Sequence, residues 1–189
     1  MTSPDVRRAG RATLHDGAQL VWTVADGRRG RRWRAMTTLD GALTHALLLE
    51  VDPDGRLSRL ELTTAAGLLT LHPEDHATEL HGNVATSDGM RHLTVAWSPE
   101  HALQIEGRPL ASAVAARRLA ARIAVGEGIR VPVVVIDTTL LPRSAVAHVE
   151  RIAEHRWLFE RDGAVEQFTL DGDGVPIGLA DALDWPLET

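Results

Sequence analysis

The densest group of ligand-type side chains in this 189-residue chain is Leu71-His-Pro-Glu-Asp-His-Ala-Thr-Glu-Leu-His81. His72, His76 and His81 are interleaved there with Glu74, Asp75 and Glu79, and imidazole with carboxylate suits zinc or iron. On a helix His72 and His76 would share a face. Pro73, and the β character of residues 78–85, point instead to a polar loop between strands, with a spacing that matches no metal motif. The expectation is therefore no metal and no cofactor, with His72, His76 and His81 as the metal-binding alternative.

A second group suits proton transfer. His92, Glu100 and His101 flank Trp97-Ser98-Pro99, and an imidazole with a carboxylate in a dry cavity can move a proton in an isomerisation, cyclisation or lyase reaction. With Glu150 these are the candidate catalytic residues if the protein is an enzyme; surface histidines are the plainer reading. Arg117-Arg118 is the third group. A buried arginine needs an acidic partner or an anionic ligand, because burying an unpaired charge is costly. Glu150 and Asp137 are the candidate partners, and the alternative is an arginine on a solvated face.

Absences narrow the chemistry. There is no Cys, hence no disulfide, thiolate nucleophile or cysteine zinc site, and there is no Tyr. All 20 basic residues are Arg, so no lysine exists for a Schiff base or a phosphate-loop motif. Nucleophile elbows, glycine-rich phosphate loops and paired-carboxylate motifs are missing as well. A net charge of −6 argues against a nucleic-acid partner, and the run Arg28-Arg-Gly-Arg-Arg-Trp-Arg34 reads as a solvated, turn-flanked basic stretch. No apolar run approaches bilayer length, so no membrane insertion is expected. The polar, basic first 17 residues contain no apolar signal core, which points to the cytoplasm.

The elements that must position these groups are mostly strands. Asp-Gly pairs, a strong hairpin signal, recur at 16–17, 26–27, 40–41, 54–55, 88–89, 162–163, 171–172 and 173–174. Asp52-Pro-Asp-Gly55 and Asp171-Gly-Asp-Gly174 lack the remaining residues of a calcium loop and read as turns. Strand-type runs lie at 19–24, 31–38, 43–51, 56–63, 67–71, 78–85, 91–97, 103–105, 129–137, 147–152, 156–161 and 165–170. In 31–38, Arg32, Arg34 and Met36 face away from Trp33 and Ala35. Pro132 marks its strand as an edge or a bulge.

Only one stretch suits a helix: Pro109 followed by an Ala- and Leu-rich run to about residue 118, apolar on nearly every side except at its arginines. Such a helix expects to be surrounded. Beyond it, Leu119, Ala121, Ile123 and Val125 alternate with Arg118, Ala120, Arg122 and Ala124, which predicts that the helix runs into a strand. The expected fold is mostly β: many antiparallel strands rolled around one short helix at about 109–118, as a single domain over 1–189 with 1–15 a flexible or edge segment.

Several short motifs, in order along the chain, resemble the glycolipid-binding family. They are Leu48-Leu-Glu-Val-Asp52 with Arg59-Leu-Glu-Leu62, Trp97-Ser-Pro99, Arg117-Arg-Leu119, Val125-Gly-Glu127 and Val149-Glu-Arg-Ile152 with Arg156-Trp157. Phe168-Thr-Leu-Asp-Gly-Asp-Gly-Val175 and Trp185-Pro186 complete the set. The resemblance implies a spiral β-roll, a long antiparallel sheet wrapped about one helix, and a homodimer. The expected function is then binding of a hydrophobic or amphipathic small molecule, lipid- or glycolipid-like, in the interior of the roll. The alternative is a cofactor-free acid–base enzyme using the same cavity.

Of the five tryptophans, Trp33 and Trp97 are placed nearest the cavity, and Trp185 is read as a structural plug. Trp33, Trp97, Arg117, Arg118, Asp137 and Trp157 make up the expected ligand-binding set.

Overall fold

Alternation of buried and exposed residues builds nearly the whole chain into strands. The computed structural model describes residues 7–179 except 15, 75 and 77, together with 187 and 188. Trp185 and Pro186 lie outside the described residues.

The first half is a run of hairpins: β1 (Arg7–Thr13), β2 (Gln19–Gly27), β3 (Gly30–Leu39), β4 (Ala42–Val51), β5 (Leu57–Thr64), β6 (Gly67–Pro73), β7 (Glu79–Thr86) and β8 (Gly89–Ala96). Each pairs antiparallel with the next, and the short β15 (Leu187–Glu188) pairs with β1, giving the order β15-β1-β2-β3-β4-β5-β6-β7-β8. A second sheet holds β9 (Ala102–Ile105), β10 (Gly128–Ile136), β11 (Pro142–Arg151), β12 (Arg156–Arg161), β13 (Ala164–Leu170) and β14 (Pro176–Leu179). Its order is β14-β13-β12-β11-β10-β9, with β9 parallel to β10 because helix α1 (Leu110–Leu119) forms the crossover between them.

Turn chemistry matches sequence where the backbone demands it. Asp40-Gly41 and Asp162-Gly163 have φ of 51° and 79°, and of 52° and 80°, the doubly positive values of a tight primed hairpin turn. At the β2–β3 hairpin the turn falls two residues later than the Asp26-Gly27 signal. Gly27 pairs with Gly30, and the tip is Arg28-Arg29. Pro132 sits where β10 has a neighbour on one side only, since β9 joins from Val133 onward.

The helix is surrounded, as its composition requires. Every residue from Leu110 to Ala116 is buried, and so is Leu119. Its closest neighbours are β9 and β13, and it shares one buried core with the inward rows of the strands, including Leu49, Leu60, Leu62, Leu69, Leu71 and Leu80. Trp22 and Trp33 lie side by side in this core, their ring centroids 5.8 Å apart.

The strand expected after the helix does not form. Residues 120–127 are turns, with Arg122 and Ile123 both donating backbone N–H groups to the Leu119 carbonyl, at 2.8 and 3.1 Å. Leu119 and Ile123 are buried while Val125 is 54% exposed. The apparent alternation is thus a helical four-residue spacing that continues past the last regular turn.

Two outcomes test this packing. A Cβ built at Gly82 would stand 1.7 Å from the Thr70 carbonyl oxygen, whereas one at Gly172 meets nothing within 4 Å. Gly82→Ala is expected to cost about 2–3 kcal/mol, lowering Tm by roughly 4–12 °C, with Gly172→Ala near neutral in the same calorimetric scan.

His45 is buried and its Nδ1 accepts a hydrogen bond from Arg108 Nε at 3.3 Å. Burial first, and then the Arg108 charge, lower its pKa from 6.5 to about 4. Because the unfolded state takes up this proton first, His45 contributes stability above pH 6.5 that is lost as the pH falls towards 4. Denaturant melts across that window are expected to show a decline on the order of 2 kcal/mol that His45→Gln removes.

Candidate functional site

Where α1 ends, the two sheets and the helix are joined through one loop. In Asp171-Gly-Asp-Gly174 the Asp171 Oδ1 accepts the backbone N–H groups of Asp173 and Val175, both at 2.9 Å, so the segment is a self-capped turn. Arg8 of β1 reaches the carboxylates of both Asp171 and Asp173. The Asp173 carbonyl accepts two further arginines, Arg31 Nη1 at 2.7 Å and Arg117 Nε at 3.2 Å. Gly174 leaves room for this convergence: its φ is 73°, and a Cβ there would lie 2.4 Å from Arg117 Cδ.

Three further cations beside this loop, Arg31, Arg151 and Arg117, are neutralised unequally. Arg31, only 4% exposed, holds Asp26 through both carboxylate oxygens, Nε to Oδ1 at 2.5 Å and Nη2 to Oδ2 at 2.8 Å. Arg151 spends its guanidinium on carbonyls, those of Ala120 and Ile123 at the helix end and that of Glu154, and lies 5.6 Å from the centre of the Trp157 ring. Arg117 is half-buried and, among the described residues, has no ion pair and no acceptor for its Nη groups. Burial, followed by the Arg31 charge, lowers its pKa, with Asp26 and Asp173 offsetting part of the effect.

These groups open onto a cleft of about 330 Å³ bordered by Arg31, Arg117, Arg151, Trp157, Leu170 and Asp173. Asp26 and Arg31 are shared with a neighbouring groove of about 520 Å³ that runs under the Arg28-Arg29 tip. Charged side chains line both, joined in the first by Ala120, Trp157 and Leu170. The spaces beside the helix are far smaller. One of about 30 Å³ lies between Trp97, His101, Val114 and Arg118, and another of about 20 Å³ between His45, Leu47, Ile105 and Leu110.

The expected site residues divide accordingly. Arg117 and Trp157 come together in the large cleft. Trp33 is fully buried in the core, and its Nε1 lacks a hydrogen-bond partner among the described residues. Trp97 stacks on His101, centroids 5.3 Å apart, at the edge of the 30 Å³ space.

Neither Glu150 nor Asp137 partners the arginine pair, contrary to expectation. Arg118 donates instead to the carbonyls of Pro99, Glu100 and His101, fastening the loop before β9. Burial lowers its pKa, with Glu100 opposing. Asp137 closes its own turn by accepting the Thr139 hydroxyl at 2.7 Å and the N–H groups of Thr139 and Leu141. Burial pushes its pKa up, but these hydrogen bonds outweigh it and leave the carboxyl below its ordinary value.

The candidate catalytic residues are spread over several elements. His92 lies on β8 beside His81, Glu100 pairs with Arg122, and Glu150 lies on β11 with His148 at 4.0 Å. His101 Nδ1 meets the Ser98 hydroxyl at 2.9 Å within one turn. Its pKa is lowered, chiefly by burial. Of the metal alternative, His72 and His81 face each other across β6 and β7, while His76 is exposed in the connecting turn.

The chain is similar over 98% of its length to the crystal structure of a DUF1089 family protein from Pseudomonas aeruginosa, of which 91% is covered. The TM-score is 0.54 at 18% identity. What the two share is a mostly-β fold. No protein-family model matches the chain, and no curated protein does. Among the described residues no helix is long and apolar enough to cross a membrane.

Sequence reasoning missed Arg31, Arg151 and the role of Asp173. The signal for Arg31 was present: two residues before Trp33, strand periodicity sends it inward with the tryptophan. Arg151 and Asp173 act through partners some thirty to a hundred and forty residues away, which local pattern does not reveal.

The roles assigned to the two half-buried arginines differ in sign. Arg151→Gln uncaps the helix end and is expected to cost about 1–2 kcal/mol. Arg117→Gln removes a cation that has no ion pair among the described residues and whose burial and Arg31 neighbour outweigh the pull of Asp26 and Asp173, so urea melts are expected to show it unchanged or slightly more stable.

Proposed function

We propose that this protein binds an amphipathic small molecule carrying an anionic headgroup, lipid- or glycolipid-like, at the Arg117 cleft. The observation that carries this reading is Arg117 itself. It is a half-buried guanidinium with its Nη groups uncommitted among the described residues, at the wall of a cleft of about 330 Å³. A phosphate, sulfate or carboxylate would supply the charge-assisted hydrogen bonds that the fold does not. Ala120 is the partly exposed apolar residue at its wall, with Trp157 and Leu170 buried at 2% and 4% exposure just behind. The volume suits a headgroup and the start of a tail, at the lower end of small-molecule sites, which run about 300–1,000 Å³.

The motif resemblance to the glycolipid-binding family supports a lipid-like ligand. The cleft lies beside the C-terminal end of the helix, so a headgroup on Arg117 would sit outside the apolar core.

Titration calorimetry with dodecyl phosphate and with its uncharged counterpart, dodecyl glucoside, both below their micellar concentrations, tests the reading. The phosphate is expected to bind at least tenfold more tightly, about 1.4 kcal/mol, with affinity falling as salt rises. Arg117→Gln should erase that preference while leaving the fold intact. Equal affinity for the two amphiphiles, or a preference that survives Arg117→Gln, would falsify the proposal.

A further inference from the structure

Away from the cleft, at the other end of the nine-stranded sheet, three ligand atoms converge on the outer face. His81 Nε2 lies 3.2 Å from Glu74 Oε1 and 3.2 Å from Glu79 Oε2, and one donor atom from each residue falls within 4.8 Å of the others. Donors bonded tetrahedrally to zinc at about 2.1 Å stand roughly 3.4 Å apart, so the two measured separations already have that scale.

The backbone holds the donors in place. Glu74 N–H bonds to the Glu79 carbonyl at 3.0 Å, closing the β6–β7 connection, and Glu79 and His81 alternate on the solvent side of β7 about the buried Leu80. A further imidazole is close by, outside that three-residue cluster, and a side-chain rotation would be needed to bring it in. His92 of β8, opposite Asn83 in register, has its ring centroid 5.6 Å from that of His81.

We infer that Glu74, Glu79 and His81, with His92 as fourth ligand, form a zinc-type divalent-cation site on the outer face of β7 and β8. Mixed imidazole and carboxylate donors select a first-row transition ion over calcium or magnesium, which take oxygen. The ion would tie β8, the terminal strand of its sheet, to the β6–β7 turn. This strand hydrogen-bonds to a neighbour on one side only and is largely exposed, so it has the most to gain from an added cross-link.

The test uses the whole chain. Zinc affinity is measured by competition with a chromophoric chelator, and cobalt is added as a spectroscopic substitute. One equivalent of zinc is expected to bind at micromolar or tighter dissociation constant and to raise Tm, and cobalt to give the intense visible bands of a tetrahedral site. His81→Ala and Glu79→Gln should each weaken zinc at least 100-fold, and His92→Gln about tenfold. All three residues are at least partly exposed, and the metal-free variants should melt like the parent. His155→Gln, on the second sheet, should leave affinity unchanged. Binding that survives His81→Ala, or an effect of His155→Gln as large as that of His92→Gln, would overturn the site. Affinity unaffected by His92→Gln would overturn the fourth ligand.

Discussion

A ten-residue helix with nearly all of its surface out of water is the constraint on which this fold rests. Leu110 to Ala116 offer no polar face, so no single sheet can cover them. The chain meets that demand by setting one long meander and a second sheet about the helix, which packs on β9 and β13 and joins the inward leucines of β4 to β7 in one core. The alanines matter as much as the leucines. Small side chains let strands approach the helix closely, and the remaining spaces of about 20 and 30 Å³ hold no more than a water or two each.

The same burial concentrates charge at the helix end. The last-turn carbonyls point out of the apolar core and need donors, and in a chain without lysine the donors are arginines. Arg151 from β11 takes the carbonyls beyond the helix, and Arg117 leans on the Asp173 carbonyl, which also receives Arg31 from β3. Arg8 then binds the acidic side chains of that loop from β1. Two sheets and the helix are joined by groups that are charged because the helix end is polar. The cleft is a by-product of that closure, and among the described residues Arg117 stands at its wall without an ion pair.

Much of this was legible in the residues. Period-two patterns located twelve strands, because a sheet with one face on a core and one in water imposes alternation residue by residue. The composition of 109–118 announced both the helix and its burial. The reading failed where a pattern had two explanations. Leu119 and Ile123 fit strand spacing and helix spacing equally over so short a run, and only the backbone bonds to the Leu119 carbonyl decide between them. It failed again for partners. The local chemistry of Arg117 and Arg118 showed that they needed acceptors, yet the acceptors are main-chain carbonyls, which carry no sequence signature. Trp157 was placed at a ligand site for its ring, and it borders the cleft because Arg151 packs over that ring.

The filled interior bears on where a guest can sit. An alkyl chain cannot enter spaces the size of a water molecule, so a ligand wholly inside the roll would have to displace α1. That exposes Leu110, Val114 and Leu119 together with the strand residues they cover, a cost on the order of 5–10 kcal/mol. On the proposed reading a headgroup on Arg117 would incur none of it, since the cleft already exists and borders a half-buried cation that has no ion pair among the described residues. Any tail would then have to lie against Ala120 at the cleft wall, in front of the buried Trp157 and Leu170, and it could move deeper only to the extent that its own burial repaid the helix. On the proposed reading the energetic order is therefore headgroup first and tail second, and charge rather than the apolar core would decide which amphiphile the cleft prefers.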